Sequence, residues 1–423
     1  MPQPRTQQLV WYLWLLLLVL LPASTKAAGA AWVIAIFWSL WLARAQPKLP
    51  ADTLGAQALY RATDFILWFF GLAFVLRTLG QAYWWDNWEY RHFDARMLST
   101  AIAMHIFVRR ITFTTQRRTE LVLALALASI TALFVVFAYT RTGTSPTTII
   151  PWAYGMVLFS TVLACVRLIP ESAQTNATTT SDWLSSTAAV LLLIAVLLSG
   201  VRGAYFAALW VACIITFSLR HTFSLRLFKS KYLWISSVVV ALGLGVVIKS
   251  VPQVYEIPQA RIAIAIADIK GFQDDQRHSS VGIRLHFVEK GIEAYFQKPW
   301  LGYGIEQRTQ LVNQWGVDVD PSLTDLTHTH NEYLNAVLDY GVLGGAALLS
   351  YLLGLMLAAF ALWRVNVALS LTIASFCFAT FSTFLTNANT LHNYTSVTLG
   401  LALLCAVVFF TRSTPLDASA SHR

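Results

Sequence analysis

The chain has 423 residues, of which 57% are hydrophobic and only 12% are charged, and its mean hydropathy is positive. A soluble globular protein carries roughly twice this charged fraction, so the composition excludes a soluble fold and predicts an all-α polytopic membrane protein. The net charge of +9 is not by itself a sign of nucleic-acid binding, because the sidedness of Lys and Arg is the informative quantity in a membrane protein.

Apolar stretches predict twelve membrane spans, of which the first and fourth are short for a bilayer that needs about 20 apolar residues. The first resembles a signal peptide, but a second span follows at once, so we expect it to be retained. The predicted spans are Leu9–Leu21, Ala28–Ala43, Tyr60–Gln81, Arg96–Val108, Glu120–Tyr139, Ile150–Ile169, Trp183–Ser199, Ala204–Leu219, Tyr232–Ile248, Asn335–Leu362, Val365–Thr386 and Tyr394–Phe410.

Lys and Arg are more frequent in the short connections after spans 2, 4, 6, 8 and 10, which places these connections in the cytoplasm. Both termini are then inside, and the long polar stretch between spans 9 and 10 lies outside. This predicts spans 1 to 9 over residues 1–248, a large, mostly helical outer loop over 249–334, spans 10 to 12 over 335–411 and a cytoplasmic tail over 412–423.

Two helices are predicted within the outer loop. Apolar residues recur at helical spacing from Val281 to Tyr295, and Pro and Gly punctuate the chain directly afterwards, over residues 299–304. Upstream, alternating Ile and Ala over residues 261–269 resemble a strand, but no partner strand is evident. We therefore expect a helix that starts at Pro258.

The segment from His328 to Gly345 joins the polar loop to a long apolar run. A helix that starts near Asn331 puts His330 at its first, uncapped turn, where the positive end of the helix dipole favours a neutral imidazole. A neutral imidazole can act as a general base. The alternative is that His330 only caps the helix. Gly341, Gly344 and Gly345 predict a smooth helix face suited to close packing in a membrane.

Two arginines are placed on the same outer side. Arg202 lies in a tight turn flanked by Gly200 and Gly203, where a large ligand can approach the backbone, and its planar fork of donors suits phosphate oxygens. The alternative is an ordinary interfacial turn with a snorkelling arginine. Arg284 lies on the flank of the predicted loop helix and taken alone fits a solvated surface charge.

Other ionisable residues are less informative. Arg77 and Asp339 fall within apolar spans, where a charge is usually paired or functional, and the sequence does not decide between these roles. His328 and His330 could suggest a metal site, but no carboxylate or Cys joins them at familiar ligand spacing, so we expect none.

These motifs together resemble the O-antigen ligase family, which includes O-antigen polymerases and protein oligosaccharyltransferases. His330-Asn331 followed by Gly341 and Gly344 is similar to the family signature. The turn around Arg202 resembles its first arginine motif, and Arg284 with Pro299-Trp300-Leu301-Gly302-Tyr303-Gly304 resembles its second. The twelve spans and the large outer loop match the layout of the family as well.

The resemblance implies the last step of lipopolysaccharide assembly. O-antigen polysaccharide would pass from undecaprenyl diphosphate to a sugar hydroxyl of lipid A–core, at the periplasmic face of the bacterial inner membrane and without metal, nucleotide or other cofactor. Arg202 and Arg284 would bind the diphosphate, and His330 would act as the base in an inverting transfer. His328 and Asn331 would help to bind substrate.

The sequence also bears on the alternatives to a ligase. The polymerases carry a glycine eleven residues after each motif arginine, where this chain has Cys213 and Tyr295, and protein oligosaccharyltransferases often continue into a further soluble region. Both observations favour the ligase. A transporter or flippase would place charges near mid-membrane and often shows two similar halves, which are not detectable here. A non-catalytic scaffold would leave the outer Arg and His set unexplained.

Overall fold

The computed structural model describes residues 5–51, 53–85, 92–111, 113–145, 147–168, 178–222, 263–264, 266–268, 278–323 and 326–410. Within these ranges every regular element is helical, which confirms the all-α prediction. The α-helices are α1 (Arg5–Leu20), α2 (Thr25–Ala45), α3 (Leu54–Trp84), α4 (His92–Arg110), α5 (Thr115–Thr142), α6 (Ile149–Cys165), α7 (Thr178–Leu198), α8 (Arg202–Thr222), α9 (Ser280–Gln297), α10 (Gly304–Val319), α11 (Glu332–Leu362), α12 (Val367–Phe384) and α13 (Asn393–Phe410).

The helices of the described ranges make this a polytopic membrane protein. Seven stretches are long and apolar enough to span a bilayer: Thr6–Ala23, Thr25–Ala45, Leu54–Trp84, Thr115–Thr142, Glu332–Leu362, Val367–Phe384 and Asn393–Phe410. Shorter apolar helices lie at Ile149–Cys165, Trp183–Leu198 and Arg202–Ser218. The predicted span Tyr232–Ile248 falls outside the described residues, so the count of twelve spans stays a prediction.

Local sequence explains where several helices start. The side chains of Ser24, Thr53, Thr114 and Asn366 accept a backbone N–H at the beginning of α2, α3, α5 and α12. The helices α6 and α13 are buried nearly all round, as expected for helices at the centre of a bundle. The most extensive packing of α11 is against α3.

The amphipathic helix predicted within the outer loop is confirmed as α9, and Ser279 caps its start. Phe287 and Ala294 are buried against α10 and the first turns of α11, in a small core separate from that of the bundle. Ile292, which the pattern placed on the buried face, is 48% exposed. Of the helix predicted from Pro258, residues 263–264 and 266–268 are helical and the rest lies outside the described residues.

The helix α11 is broken near its start. Tyr340 and Gly341 leave helical geometry, and Gly341 has a φ of 58°, which favours glycine. The prediction that Gly341 contributes to a smooth helix face is therefore wrong. A Cβ on Gly344 would overlap the Ala336 carbonyl across the break, so this glycine permits the kink.

Residues Pro299–Tyr303, here called the docking loop, fill this kink. The backbone N–H of Tyr303 donates to the Leu338 carbonyl at 2.7 Å, and that of Val342 donates to the Pro299 carbonyl at 2.9 Å. Gly302 has a φ of 66°, and a Cβ there would lie 2.8 Å from the carbonyl oxygen of Asp339. Two backbones thus meet at the kink, and glycine on each side permits the approach.

Candidate active site

The two candidate histidines lie on residues Thr327–Asn331, here called the His segment, which leads directly into α11. Asn331 is the N-cap, and its side-chain Oδ1 accepts the backbone N–H of Leu334 at 3.0 Å. His330 immediately precedes this cap with a φ of 56°, a left-handed conformation that is uncommon for a residue other than glycine. The first turn is therefore capped by Asn331, contrary to the predicted uncapped turn, and His330 itself is not the cap.

The His segment is held against α11 by side-chain hydrogen bonds. The backbone N–H and the hydroxyl of Thr329 both donate to Asn335 Oδ1, at 3.1 and 2.9 Å. Thr329 is buried, whereas His328 and His330 on either side of it are half-buried. The fixed threonine turns both imidazole rings toward the same region, and their centroids lie 4.4 Å apart.

Both imidazoles are kept neutral at pH 7. Burial is the largest cause that lowers the pKa of His330, the charge of Arg284 adds to it, and a hydrogen bond with Asn387 acts in the opposite direction. Burial and then the neighbouring His330 lower the pKa of His328 to about 3. Both rings are thus available as proton acceptors, and His328 holds a proton much less readily than a free histidine does.

Arg202 is the first residue of α8, and the turn before it is built from short-range contacts. Gly200 has a φ of 71°, and the Ser199 hydroxyl donates to the Val196 carbonyl at 2.6 Å. A Cβ on Gly203 would overlap the hydroxyl of Thr386, so glycine lets α8 begin against the loop that follows α12. The Nη1 atom of Arg202 is buried and has no hydrogen-bond partner among the described residues.

Arg284 lies on α9 and is half-buried. Burial is the largest cause that lowers its pKa, and the positive charge of Arg202 adds to it, so the two cations are close enough to repel each other. Within the described parts of the chain, no carboxylate forms an ion pair with either arginine. Two cations that repel each other, with no carboxylate partner among the described residues, form an arrangement that suits an anion, and the N-terminus of α8 adds its dipole.

Two buried ion-pair clusters beside the site were missed by sequence reasoning. Arg77 lies 3.6 Å from Asp94 and 3.7 Å from Glu332, and Glu332 accepts hydrogen bonds from the backbone and hydroxyl of Thr390. Asp339 pairs with Arg308 at 2.7 Å. Arg77 and Asp339, whose roles the sequence left open, are thus both paired with an opposite charge. The sequence signal for these ion pairs was a charged residue within an apolar run, but this signal did not identify the residue that pairs with it.

His392 also joins the electrostatic surroundings of His328, which sequence reasoning did not anticipate. It follows a short 3-10 helix, Asn389–Leu391, in the loop that links α12 to α13. Within the described ranges, no group of three or more His, Cys, Asp or Glu side chains converges as a metal site would require.

The ordered set of arginine and histidine motifs can now be compared with known families. Residues 187–349 match the family model described as O-antigen ligase. This match supports the O-antigen ligase family that the arginine and histidine motifs indicated. The matched region begins in α7 and ends in α11, so it contains both arginines, the docking loop and the His segment. No curated protein matches the chain.

The family match also bears on the general activity. Together with the apolar helices, it supports a multi-pass membrane enzyme of lipopolysaccharide biosynthesis that transfers glycosyl groups from a lipid-linked polysaccharide. Arg202, Arg284 and the two histidines are separated in sequence, but in the fold the charge of Arg202 acts on Arg284 and that of Arg284 acts on both histidines.

Proposed function

We propose that this protein is an O-antigen ligase. It transfers O-antigen polysaccharide from undecaprenyl diphosphate to a sugar hydroxyl of lipid A–core, at the periplasmic face of the inner membrane. The observation that carries the proposal is that Arg202 and Arg284 repel each other and have no carboxylate partner among the described residues, while the charge of Arg284 also acts on neutral His330. Such a pair suits a diphosphate, because the negative charge of the diphosphate would balance the two cations.

The transfer needs a cation at the leaving group and a base at the acceptor. His330 takes the proton from the acceptor hydroxyl while its oxygen forms a bond to the anomeric carbon. The bond from that carbon to the phosphate oxygen breaks on the opposite side, so the configuration inverts. Arg202 and Arg284 stabilise the negative charge that undecaprenyl diphosphate gains as it leaves, and the reaction uses no metal.

His330 is the better candidate for the base than His328. It directly precedes the capped helix, and its left-handed backbone is held by Thr329 and Asn331 on either side. The pKa of His328, about 3, makes the protonated form that a base passes through costly at that position. His328 and Asn331 are assigned to substrate binding, and Asn331 also caps α11.

The topology belongs to the same proposal. Residues 1–248 would hold spans 1 to 9, 249–334 the periplasmic loop with α9 and α10, 335–411 spans 10 to 12, and 412–423 a cytoplasmic tail. This arrangement puts both motif arginines and the His segment on the periplasmic side, where a lipid-linked glycan that has crossed the membrane meets lipid A–core.

The test is a transfer assay with purified protein, undecaprenyl diphosphate-linked glycan and EDTA. Lipid A–core, a second lipid-linked glycan and a pilin-like acceptor protein are offered separately, which distinguishes ligase, polymerase and protein oligosaccharyltransferase. We expect product only with lipid A–core. Product only with one of the other acceptors, or loss of activity in EDTA, would contradict the proposal.

The same assay tests the base. We expect His330→Ala to lose about 10²- to 10⁴-fold in kcat, the usual range for a general base, while donor binding is kept because both arginines remain. His328→Ala should raise KM for the acceptor and lower kcat less than about tenfold. His278, which is exposed, provides the matched control His278→Ala. An inactive His328→Ala beside a nearly normal His330→Ala would move the base by two residues.

A further inference from the structure

Arg308 on α10 contacts both the His segment and α11 from a fully buried position. Its side chain is 2% exposed, and Nε donates to Asp339 Oδ1 at 2.7 Å. Nη2 donates to Asp339 Oδ2 at 3.4 Å, and Nη1 donates to the backbone carbonyl of Thr327 and to the Thr309 hydroxyl. One guanidinium group therefore ties the first residue of the His segment to an acid on α11.

The Thr327 carbonyl lies at the end of the His segment that is farther along the chain from α11. Thr329 and Asn331 are bound by hydrogen bonds within the start of α11, but Thr327 lies on the far side of His328. The contact with Arg308 thus fixes the segment at its other end. With both ends fixed, the backbone at His330 is held in its left-handed conformation.

The geometry at Arg308 requires a guanidinium. A buried ion pair is a weak source of stability, since the removal of two charges from water offsets most of their attraction. An arginine can bind a carboxylate with one edge and donate to a carbonyl with another, and its fork holds these directions at fixed angles. A lysine ammonium can keep the charge, but it does not span both acceptors in this arrangement.

Asp339 in turn connects this pair to the docking loop. It directly precedes the kink at Tyr340 and Gly341, and the neighbouring Leu338 carbonyl accepts the backbone N–H of Tyr303 at 2.7 Å. A contiguous set of contacts therefore runs from the docking loop through the kink and the Asp339–Arg308 pair to the His segment.

We propose that Arg308 and Asp339 are positioning residues for His330: their ion pair holds the Thr327 carbonyl and so fixes the His segment at the distance that the transfer requires. This inference rests on the proposed function, since His330 is the group being positioned. A shift of about 1 Å in a catalytic group can lower a rate about 100-fold.

The experiment compares Arg308→Lys and Asp339→Asn with the control Glu293→Gln. Glu293 belongs to an exposed ion pair with Lys290 on α9, so its loss removes a charge pair without touching the His segment. Three quantities are measured on purified protein in detergent: the number and affinity of undecaprenyl diphosphate sites, kcat per donor-binding site, and backbone hydrogen exchange over residues 326–331. Expressing kcat per donor-binding site removes the contribution of misfolded protein.

We expect Arg308→Lys to lose about 10- to 100-fold in kcat per site, with donor affinity within about threefold of wild type. Asp339→Asn still accepts from Arg308 and should lose less. Hydrogen exchange over residues 326–331 should become faster in both variants, and Glu293→Gln should match wild type in all three measurements. Arg308→Lys with kcat per site within threefold of wild type, or with unchanged exchange over 326–331, would overturn the positioning role.

The outcomes separate this inference from the proposed function. If wild-type protein transfers nothing to lipid A–core, the proposed function fails. The hydrogen exchange of residues 326–331 then still decides whether Arg308 holds the His segment. If wild type is active and Arg308→Lys only reduces the number of donor-binding sites, the pair is structural and the positioning role is wrong.

Discussion

The kink in α11 offers the sharpest test of how the docking loop is held. Gly341 combines a φ of 58° with close contact to the docking loop, and a Cβ there would overlap the Trp300 carbonyl and lie 2.6 Å from Leu301 N. The substitution Gly341→Ala therefore imposes two separate costs, one on the backbone conformation of α11 and one on the contact with the loop.

The magnitude of each cost follows from the geometry. With a φ of 58° and a ψ of −139°, Gly341 lies near a region of backbone conformation that is essentially restricted to glycine, and a residue with a Cβ there costs roughly 1–3 kcal/mol. Displacing the docking loop breaks the hydrogen bonds from Tyr303 to Leu338 and from Val342 to Pro299, each worth about 0.5–1.5 kcal/mol. We therefore expect Gly341→Ala to lower the free energy of unfolding by about 2–6 kcal/mol.

Two other glycines help to separate the backbone cost from the cost of the loop contact. Gly143 has a φ of 70°, but a Cβ there meets nothing within 4 Å, so Gly143→Ala should show the backbone cost alone, roughly 1–2 kcal/mol. Gly29 lies inside α2 with no positive φ and nothing within 4 Å of an added Cβ. Gly29→Ala should instead stabilise the protein by roughly 0.5–1 kcal/mol, because alanine has less backbone freedom to lose.

The assay is denaturant unfolding of the purified protein in one detergent, followed by tryptophan fluorescence, for the three variants and wild type. The difference between Gly341→Ala and Gly143→Ala measures the contact between the docking loop and the kink together with the stricter backbone restriction at Gly341, since Gly143 has a ψ of 0° and Gly341 a ψ of −139°. The reasoning is refuted if these two variants are equally destabilised, since the loop contact would then contribute nothing. A destabilised Gly29→Ala would remove the basis of the comparison.

Three further outcomes are expected from the site. Arg202→Lys and Arg284→Lys should each lose at least about tenfold in transfer at normal protein levels, because an ammonium cannot form the bidentate fork; full activity in both, measured in membranes, excludes them as diphosphate ligands. Because the pKa of His330 is lowered, kcat/KM should stay constant as the pH falls from 8 and should decrease only below the ordinary histidine pKa of about 6.5. A decrease in kcat/KM that is centred at or above this pKa in a pH series would contradict His330 as the base. Reporter fusions after Ser279 and Arg118 should report periplasm and cytoplasm, and the opposite pair would reverse the proposed topology.

Several features of this protein could be predicted because they depend on a few neighbouring residues. Composition alone identified a helical membrane protein, and the spacing of apolar residues located α9 to within about two residues at each end. The identity and order of the motifs around Arg202, Arg284 and His330 led to the family that residues 187–349 match.

Other features of the site depend on which helices pack together, and here local patterns failed. The His330 turn was expected to be uncapped, but Asn331 caps it, since a cap depends on which residue takes an extended backbone before the helix. Gly341 was read as a packing residue, although the docking loop requires it as a break. Nothing near Gly341 in the sequence reports the approach of Trp300, which comes from a different element.

The sequence by itself therefore determined the class of fold, the family resemblance and the residues available for chemistry. Only the tertiary structure decided that Arg202 and Arg284 repel each other without a carboxylate partner among the described residues, and that Arg308 is the partner of Asp339. The physical reason is that helical periodicity and hydrogen-bonded caps act within one or two turns of the chain. The pairing of buried charges is set instead by contacts between helices that are distant in sequence, because each charge needs a partner once packing removes it from water.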